Sequence, residues 1–209
     1  MELLVMLILV FVLLYSIIIH ELAHGFSSDM LGDPTPRYFG RLTLNPIPHI
    51  DPIGTLLPIF LFISNAPVVF GWAKPVPINP NNYKDYRSGT LLVSSAGIVA
   101  NLFVAWVLSI ILKFIPYSQQ GILPVVRGAV DFGIQINIVL AVFNLIPIPP
   151  LDGSKILSSV LPLRYSYIFD QLQQYGFFIL IFILLFPPTS FMISLMIDLI
   201  YRLFTVGIF

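Results

Sequence analysis

The sequence predicts an all-α protein that crosses a membrane several times. Of its 209 residues, 57% are hydrophobic and only 10% are charged, whereas an ordinary soluble domain carries roughly 25% charged residues. Several stretches approach the roughly 20 consecutive apolar residues that a helix needs to cross a bilayer. No polar stretch is long enough for a soluble domain, so we interpret residues 1–209 as one domain, with a core at about 3–160 and accessory helices at about 165–209.

The first apolar run predicts a permanent transmembrane helix from Leu3 to about Phe26. No ionised residue occurs between Leu3 and Ile19. A signal peptide would have a basic n-region and a small-residue cleavage site. Neither is present here, so we expect the segment to stay in the protein.

Four later apolar runs predict further membrane-spanning helices, which brings the expected number to about five. Pro187 and Pro188 separate the last two runs, since proline ends or kinks a helix. The predicted ranges are Gly89–Phe114, Gly128–Ile146, Ile168–Phe186 and Ser190–Phe204.

The remaining apolar stretch, Ile53–Phe70, contains Pro58 and Pro67 and could either cross the membrane or re-enter it. If it crosses, the ten basic residues divide four to six between the two sides; if it returns, they divide eight to two, with Lys113 and Arg127 alone outside. The positive-inside rule favours the re-entrant arrangement. We therefore expect an N-terminus outside and a C-terminus in the cytoplasm, in what we take to be the plasma membrane of a prokaryote.

Charge and cysteine content exclude several classes of function. The formal net charge is zero and there is no cysteine. Nothing therefore suggests a nucleic-acid partner, and disulfides and thiolate ligands are excluded. Any bound metal must use His, Asp, Glu or water as ligands.

The strongest motif is His20-Glu21-Leu22-Ala23-His24, at the end of the first apolar run. Two histidines four apart lie on one face of a helix, about 6 Å apart along its axis. This spacing lets both imidazoles bind one Zn²⁺, and Glu21 can then take a proton from a metal-bound water. The motif predicts a zinc hydrolase inside a membrane.

Asp152 is the expected third ligand. The run from Asn144 to Gly153 contains Pro147, Pro149 and Pro150, so it cannot form a continuous helix. A carboxylate at such a break can point at a metal, and two histidines with one carboxylate leave a fourth position for water, as a catalytic zinc requires. We expect one Zn²⁺ per chain.

The re-entrant topology brings these polar groups to one depth. His20 and His24 lie near the cytoplasmic end of the first span, Asn101 near the start of the second, and Asn144 and Asp152 at and just beyond the end of the third. If Ile53–Phe70 crossed instead, the second and third spans would be inverted and the groups would separate.

At this point the sequence resembles the site-2 proteases, intramembrane zinc metalloproteases that cut transmembrane substrates. The resemblance rests on the His20–His24 motif, on Ser95-Ala96-Gly97-Ile98-Val99-Ala100-Asn101, and on the proline-rich segment that ends in Leu151-Asp152-Gly153. Residues 40–46 and 71–77 resemble that family's membrane-associated strands. The likeness covers about residues 16–160, and the PDZ and CBS domains of some relatives are absent, which is typical of a minimal member.

The resemblance implies roles for individual residues. His20, His24 and Asp152 would be the zinc ligands and Glu21 the general base, while Asn144 and Asn101 would help to hold the substrate or its oxyanion. The substrates would be transmembrane proteins in the lipid bilayer. A substrate drawn out as a strand could be received by strand addition at residues 41–44 and 74–78. The oligomeric state stays open.

Two other classes of function remain as alternatives. A membrane metal transporter also uses His and Asp, but its polar residues should occur at several depths, whereas here they gather at one end apart from Gln135 and Asn137. A non-catalytic scaffold could keep a structural zinc, but it would not need Glu21.

Other polar residues have simpler interpretations. Ser95 and Gly97 are expected to permit close helix packing. His49 lies among prolines and is expected in a loop or a substrate channel. Asp198 and Arg202 are four residues apart on one predicted helix, which indicates a local ion pair.

Overall fold

A computed structural model describes residues 2–64, 73–162 and 166–206, and it is all-helical over these ranges. Two short 3₁₀ turns, Ile47–His49 and Pro80–Asn82, lie in the connections. The helices in the described residues are α1 (Glu2–Met30), α2 (Thr35–Tyr38), α3 (Pro52–Ile63), α4 (Tyr86–Phe114), α5 (Leu123–Asn144), α6 (Asp152–Val160), α7 (Ser166–Gln173), α8 (Gly176–Leu185) and α9 (Pro187–Thr205).

Among the described residues, three helices, α1, α4 and α5, are long and apolar enough to cross a membrane. At 1.5 Å per residue, their 29, 29 and 22 residues correspond to lengths of about 43, 43 and 33 Å, against a hydrocarbon core of about 30 Å. The predicted spans Leu3–Phe26, Gly89–Phe114 and Gly128–Ile146 are thus confirmed as helices, with ends shifted by a few residues.

The helix α4 lies at the centre of the bundle and packs against both α1 and α5. Its N-terminus is capped by Asp85, whose side chain accepts the Ser88 N–H. The buried core between the helices consists of Ala105, Leu112, Ile134, Ile138 and Val142. Side-chain hydrogen bonds of His24 with Val93 and of Asn101 with Asn137 put the C-terminal half of α1, the first half and middle of α4 and the C-terminal half of α5 side by side.

The prediction of about five transmembrane helices is not confirmed. In the described residues, α8 and α9 meet at 82° and can together supply one more, bent span or a re-entrant loop, which gives four spans at most. The predicted span Ile168–Phe186 is interrupted between α7 and α8, where Gln173, Gln174 and Tyr175 follow one another. Only the ten residues of α8 are continuously apolar, and about 15 Å of helix is too short to cross.

The stretch Ile53–Phe70 begins as α3, a helix of 12 residues. Such a helix is about 18 Å long, which is too short to cross the hydrocarbon core unaided. The rest of the stretch falls in residues 65–72, outside the described residues. The re-entrant topology therefore stays a prediction.

The expected membrane-associated strands are wrong for residues 40–46 and 73–78, the described parts of the two segments, because neither is paired in a strand. Several backbone groups of residues 74–76 bond to side chains instead. The buried Arg41 guanidinium donates to the carbonyls of Lys74 and Pro75, and the Val76 N–H donates to Glu21. Proline at positions 75 and 77 removes two of the donors that a β ladder would need.

The carboxylate of Asp33 ties the end of α1 to the segment that leads into α4. Its side chain is completely buried and accepts hydrogen bonds from the Ser28 hydroxyl, the Asn79 N–H and the Asn82 amide, and from Thr35. Burial alone would raise its pKa, but these donors outweigh burial and lower the pKa of Asp33 to about 2. This junction fixes how α1 meets α4, and so the site between them.

His49 and the Asp198–Arg202 pair lie away from that site. The His49 side chain is fully buried, and its Nε2–H donates to the Thr43 carbonyl within the same loop. The predicted ion pair is present, with Arg202 Nε 2.7 Å from Asp198 Oδ2.

Candidate active site

The two histidines of the motif lie one turn apart on α1 and face α4 and α5. Their rings meet edge to face with centroids 4.6 Å apart. The Nε2 atoms of His20 and His24 are 3.0 Å apart. Both side chains are buried, with residue exposures of 7% and 8%.

Asp152 reaches the same point from the other side of the bundle. The helix α5 ends at Asn144, the proline-rich turn follows, and Asp152 is the first residue of α6. Its Oδ2 atom lies 3.1 Å from His20 Nε2 and 2.9 Å from His24 Nε2. The three residues form a group that could hold a metal ion.

Hydrogen bonds on the far side of each ring fix which nitrogen faces this point. His24 Nδ1 is 2.7 Å from the Val93 carbonyl, which can only accept, so Nδ1 carries the proton. His20 Nδ1 lies 2.6 Å from Asn101 Oδ1, also an acceptor. In both rings Nε2 is left with a lone pair that points inward.

Three acceptors therefore converge at one buried point. Two imidazole lone pairs and an anionic oxygen repel one another unless a cation lies between them. A tetrahedral zinc with bonds of about 2.0–2.1 Å separates its ligand atoms by about 3.3 Å, close to the 2.9–3.1 Å observed here. The donor set and its spacing fit Zn²⁺.

Gly97 of α4 lies directly against the two rings. A Cβ atom at this position would be 2.6 Å from His20 Cε1 and 2.6 Å from His24 Nε2. The close packing expected of Gly97 thus occurs at the metal group itself, because only a hydrogen atom fits between α4 and the imidazoles.

Glu21 lines a cavity of about 190 Å³ together with His20, His24 and Asp152. Its Oε2 atom accepts the Val76 N–H at 2.7 Å. Because residues 75 and 77 are prolines, Val76 carries the only backbone N–H of that tripeptide. One carboxylate oxygen is thereby held by the chain segment that borders the cavity.

Lys155 follows Asp152 by one turn of α6 and holds its second oxygen, with Nζ 3.3 Å from Oδ1. Burial raises the pKa of Asp152, whereas the positive charge of Lys155 lowers it. Lys155 thus favours the ionised carboxylate from the side of Asp152 that faces away from the histidines.

The two asparagines of the sequence prediction occupy different places. Asn144 lines the cavity, and its amide nitrogen donates to the Leu140 carbonyl at 2.9 Å. Asn101 is fully buried behind His20, where its polar atoms bond to His20, Ser16 and Asn137. This position suits the support of His20 better than contact with a substrate.

Comparison with known proteins agrees with this geometry. A relative from Bacillus subtilis (strain 168), named "Putative zinc metalloprotease YwhC", is 37% identical over 205 residues, which cover 94% of this chain and 90% of the relative. The chain belongs to peptidase family M50, the site-2 protease family. The family description "Peptidase family M50" matches residues 122–187, a range that includes Asn144 and Asp152.

A more distant relative of this M50 chain, "Putative zinc metalloprotease Rip2" of Mycolicibacterium smegmatis, is 26% identical over 178 residues. These cover 85% of the M50 chain and 66% of the relative. No solved structure matches the chain.

Val76, Lys155 and Asn137 bond to candidate site residues and were not expected to do so from the sequence of the M50 chain. Val76 is recognisable as the one N–H donor between two prolines, and Lys155 as a cation one helical turn after Asp152. Asn137 lies two turns before Asn144, on the same face of α5. Its partners could not be read from the sequence, because they lie on α1 and α4.

Proposed function

We propose that this M50 chain hydrolyses peptide bonds in or near transmembrane segments of other proteins, with one zinc held by His20, His24 and Asp152 and with Glu21 as general base. Family membership makes the chain an intramembrane zinc metalloprotease. The observation that carries the residue assignment is the convergence of three acceptor atoms within 3.1 Å of one another, beside a carboxylate in the same cavity.

Zinc, when bound, polarises the substrate carbonyl and makes water a stronger acid, with a pKa toward about 7. The chain's own residues carry out the proton transfers. Glu21 is held through Oε2 by the Val76 N–H, so Oε1 is the oxygen that takes the proton from the attacking water. The water oxygen bonds to the carbonyl carbon; the C–N bond then breaks, and Glu21 returns the proton to the leaving amine.

Asn144 and Lys155 also line the cavity and have different roles. The Asn144 amide has two N–H bonds, and one of them donates to Leu140. The other is the donor we assign to the oxyanion that develops on the carbonyl. Lys155 holds Asp152 Oδ1, which leaves Oδ2 for the metal.

The substrate chain extends from the small cavity into a neighbouring one of about 710 Å³. A transmembrane substrate must unwind here, because its helical carbonyls are hydrogen-bonded and cannot be attacked in place. Ser154, Ser158 and Ser159 line the larger cavity; their hydroxyls donate to the Leu151 and Lys155 carbonyls, so their oxygens can accept from the N–H groups of an unwound backbone. Lining residues shared by the two cavities are Pro75, Ile78, Val93, Ser94, Pro150 and Lys155.

Metal and activity measurements on four variants test the assignment. His20→Ala and Asp152→Ala should lose zinc, whereas Glu21→Gln should keep zinc and lose cleavage of a single-span substrate. His49→Gln is the matched control, because it alters a buried histidine whose side chain bonds to the Thr43 carbonyl of its own loop and lies away from the cavity, and it should keep both. Undiminished proteolysis by Glu21→Gln contradicts the mechanism.

The orientation is a separate proposal, with the N-terminus outside and the loops before α4 and after α5 in the cytoplasm. The chain has no cysteine of its own, so single cysteines can report each side cleanly. Cysteine at Tyr38 or Asn81 should label from the cytoplasm, and cysteine at the 77% exposed Tyr117 from outside. Labelling of the Tyr38 and Asn81 variants from opposite sides would mean that Ile53–Phe70 crosses.

A further inference from the structure

A chain of buried polar side chains runs from His20 into the middle of the bundle. It joins Asn101 of α4, Asn137 of α5 and Ser16 of α1, none of which is more than 3% exposed. Such groups are costly inside a membrane unless each hydrogen bond is made. Every hydrogen bond between these side chains is made, and which atom donates in each bond can be derived.

The direction is set first at Asn137. Its amide nitrogen is 2.8 Å from the Gly133 carbonyl, which can only accept, and 2.8 Å from Ser16 Oγ. The Ser16 hydroxyl donates to the Val12 carbonyl, so Oγ accepts from Asn137. Both amide hydrogens of Asn137 are thus used, and its Oδ1 is presented to Asn101 as an acceptor.

The same argument then applies to Asn101. Its amide nitrogen donates to Asn137 Oδ1 at 2.7 Å and to the Ser16 carbonyl at 3.2 Å. A flipped amide would put its oxygen against two acceptors, which excludes the flip. Asn101 Oδ1 therefore faces His20 Nδ1 at 2.6 Å and can only accept.

We infer that Asn101, Asn137 and Ser16 are positioning residues for the metal site, which hold His20 as the Nδ1–H tautomer with Nε2 free for zinc. The inference rests on the proposed role of His20 as a zinc ligand. It assigns Asn101 to the support of a ligand, not to the substrate, and it adds two residues that line none of the described cavities.

The two histidines differ in what supports them. His24 donates to the Val93 carbonyl of the α4 backbone, which no side-chain substitution removes. His20 depends on side chains contributed by three helices. The zinc affinity of this protein is therefore sensitive to residues two helices away from the metal.

Two substitutions of Asn101 separate positioning from simple packing. Asn101→Asp keeps an oxygen that accepts the His20 Nδ1–H, whereas Asn101→Leu keeps the size and removes the acceptor. Zinc affinity is measured by chelator competition, and thermal stability on the zinc-free protein. Loss of a supporting group typically weakens metal binding by about 10- to 100-fold. We expect that loss for Asn101→Leu and a smaller loss for Asn101→Asp, which keeps the acceptor for His20 but places its second oxygen against the acceptors of Asn137 and Ser16.

Stability should rank the two variants in the opposite order, because an acid in the bundle is costlier than leucine. If Asn101 only fills space, zinc affinity should follow stability, and Asn101→Leu should bind zinc more tightly than Asn101→Asp. That result overturns the inference. Ser109→Ala is the control, since this buried hydroxyl on α4 donates to the Trp106 carbonyl outside the chain of bonds. Equal weakening by Ser109→Ala also overturns it.

If Asn101→Leu does not fold, Asn137→Ala decides the question. We expect Asn137→Ala to lose zinc affinity several-fold, and an unchanged affinity would contradict the inference. His20→Ala separates this inference from the proposed function. Unchanged zinc binding by His20→Ala overturns the ligand assignment and the inference together. Zinc lost in His20→Ala but fully retained in Asn101→Leu overturns the inference alone.

Discussion

Gly97→Ala tests how closely α4 must approach the metal group. The added methyl carbon would lie 2.6 Å from atoms of both imidazoles, whereas carbon atoms in contact are ordinarily about 3.5–4.0 Å apart. Something must therefore move by about 1 Å. Either the two helices separate or the rings rotate, and rotation breaks the bonds that His20 and His24 make through Nδ1.

The magnitude follows from the cost of overpacking, which is typically about 1–3 kcal/mol. If the zinc-bound form bears that cost, zinc binding weakens by about 5- to 150-fold, since 1.4 kcal/mol is a factor of ten. Alanine also favours a helix over glycine by about 0.8–1.0 kcal/mol. The zinc-free protein should accordingly lose little stability while zinc affinity falls.

Chelator competition on purified protein measures the zinc affinity, and thermal unfolding of the zinc-free form measures stability. The matched control is Gly128→Ala, because a Cβ atom on Gly128 of α5 meets nothing within 4 Å. The control should bind zinc normally. Wild-type zinc affinity in Gly97→Ala would refute the packing argument, and with it the arrangement of α1 against α4.

Three further substitutions test single contacts. Val76→Pro removes the N–H that holds Glu21 and should lower turnover per bound zinc by about 10- to 100-fold, since hydrogen bonds to charged groups contribute about 1.5–3 kcal/mol. Val76→Ala is the control because it keeps that N–H. An equal loss of turnover in Val76→Ala contradicts the prediction. Asn144→Ala should keep zinc and lose about 100- to 1,000-fold in turnover per zinc, whereas near-normal turnover with lower stability would assign Asn144 to the backbone freed by the prolines. Asp33→Asn should destabilise the zinc-free protein at pH 7 by about 2 kcal/mol, because the pKa of Asp33 is lowered to about 2. The stabilisation is present above the unfolded-state pKa near 4 and is lost as the pH falls toward 2. The difference in unfolding free energy between wild type and variant should therefore close over that range, and a difference independent of pH contradicts the prediction.

Cleavage inside a membrane needs water and polar groups at a place where both are costly, and this molecule concentrates them near one end of α1, α4 and α5. Deeper in the bundle, the polar side chains of Ser16, Asn101 and Asn137 bond to one another and to backbone carbonyls. They line neither of the two cavities that adjoin His20, His24 and Asp152. This arrangement favours a protease over the metal transporter, whose polar residues would line a path across the membrane.

Much of the metal group could be predicted from the sequence, because it depends on geometry within short segments. A helix of 3.6 residues per turn puts His20 and His24 on one face whatever surrounds it. Three prolines must end α5 before Asp152. The distribution of basic residues then indicates which segment ends share a side of the membrane, and in the folded protein those ends lie together.

Only the tertiary structure decided the features that depend on a hydrogen bond or packing contact between segments far apart in the sequence. Residues 40–46 and 73–78 resemble strands of the site-2 protease family, yet Arg41 and Glu21 bond to the backbone of residues 74–76 in place of a neighbouring strand. The span expected at Ile168–Phe186 is broken where Gly176 packs against the Pro149 carbonyl, with no room for a Cβ atom.

The sequence by itself determined that this is a membrane protein with a pair of histidines, an adjacent glutamate and an aspartate at a helix break. These are properties of composition and of local periodicity, and no distant contact can change them. The hydrogen-bond partners of Asn101 were decided only by the packing of α1, α4 and α5. Their rotation and depth set which acceptor each donor meets, and neither quantity is encoded within a single helix.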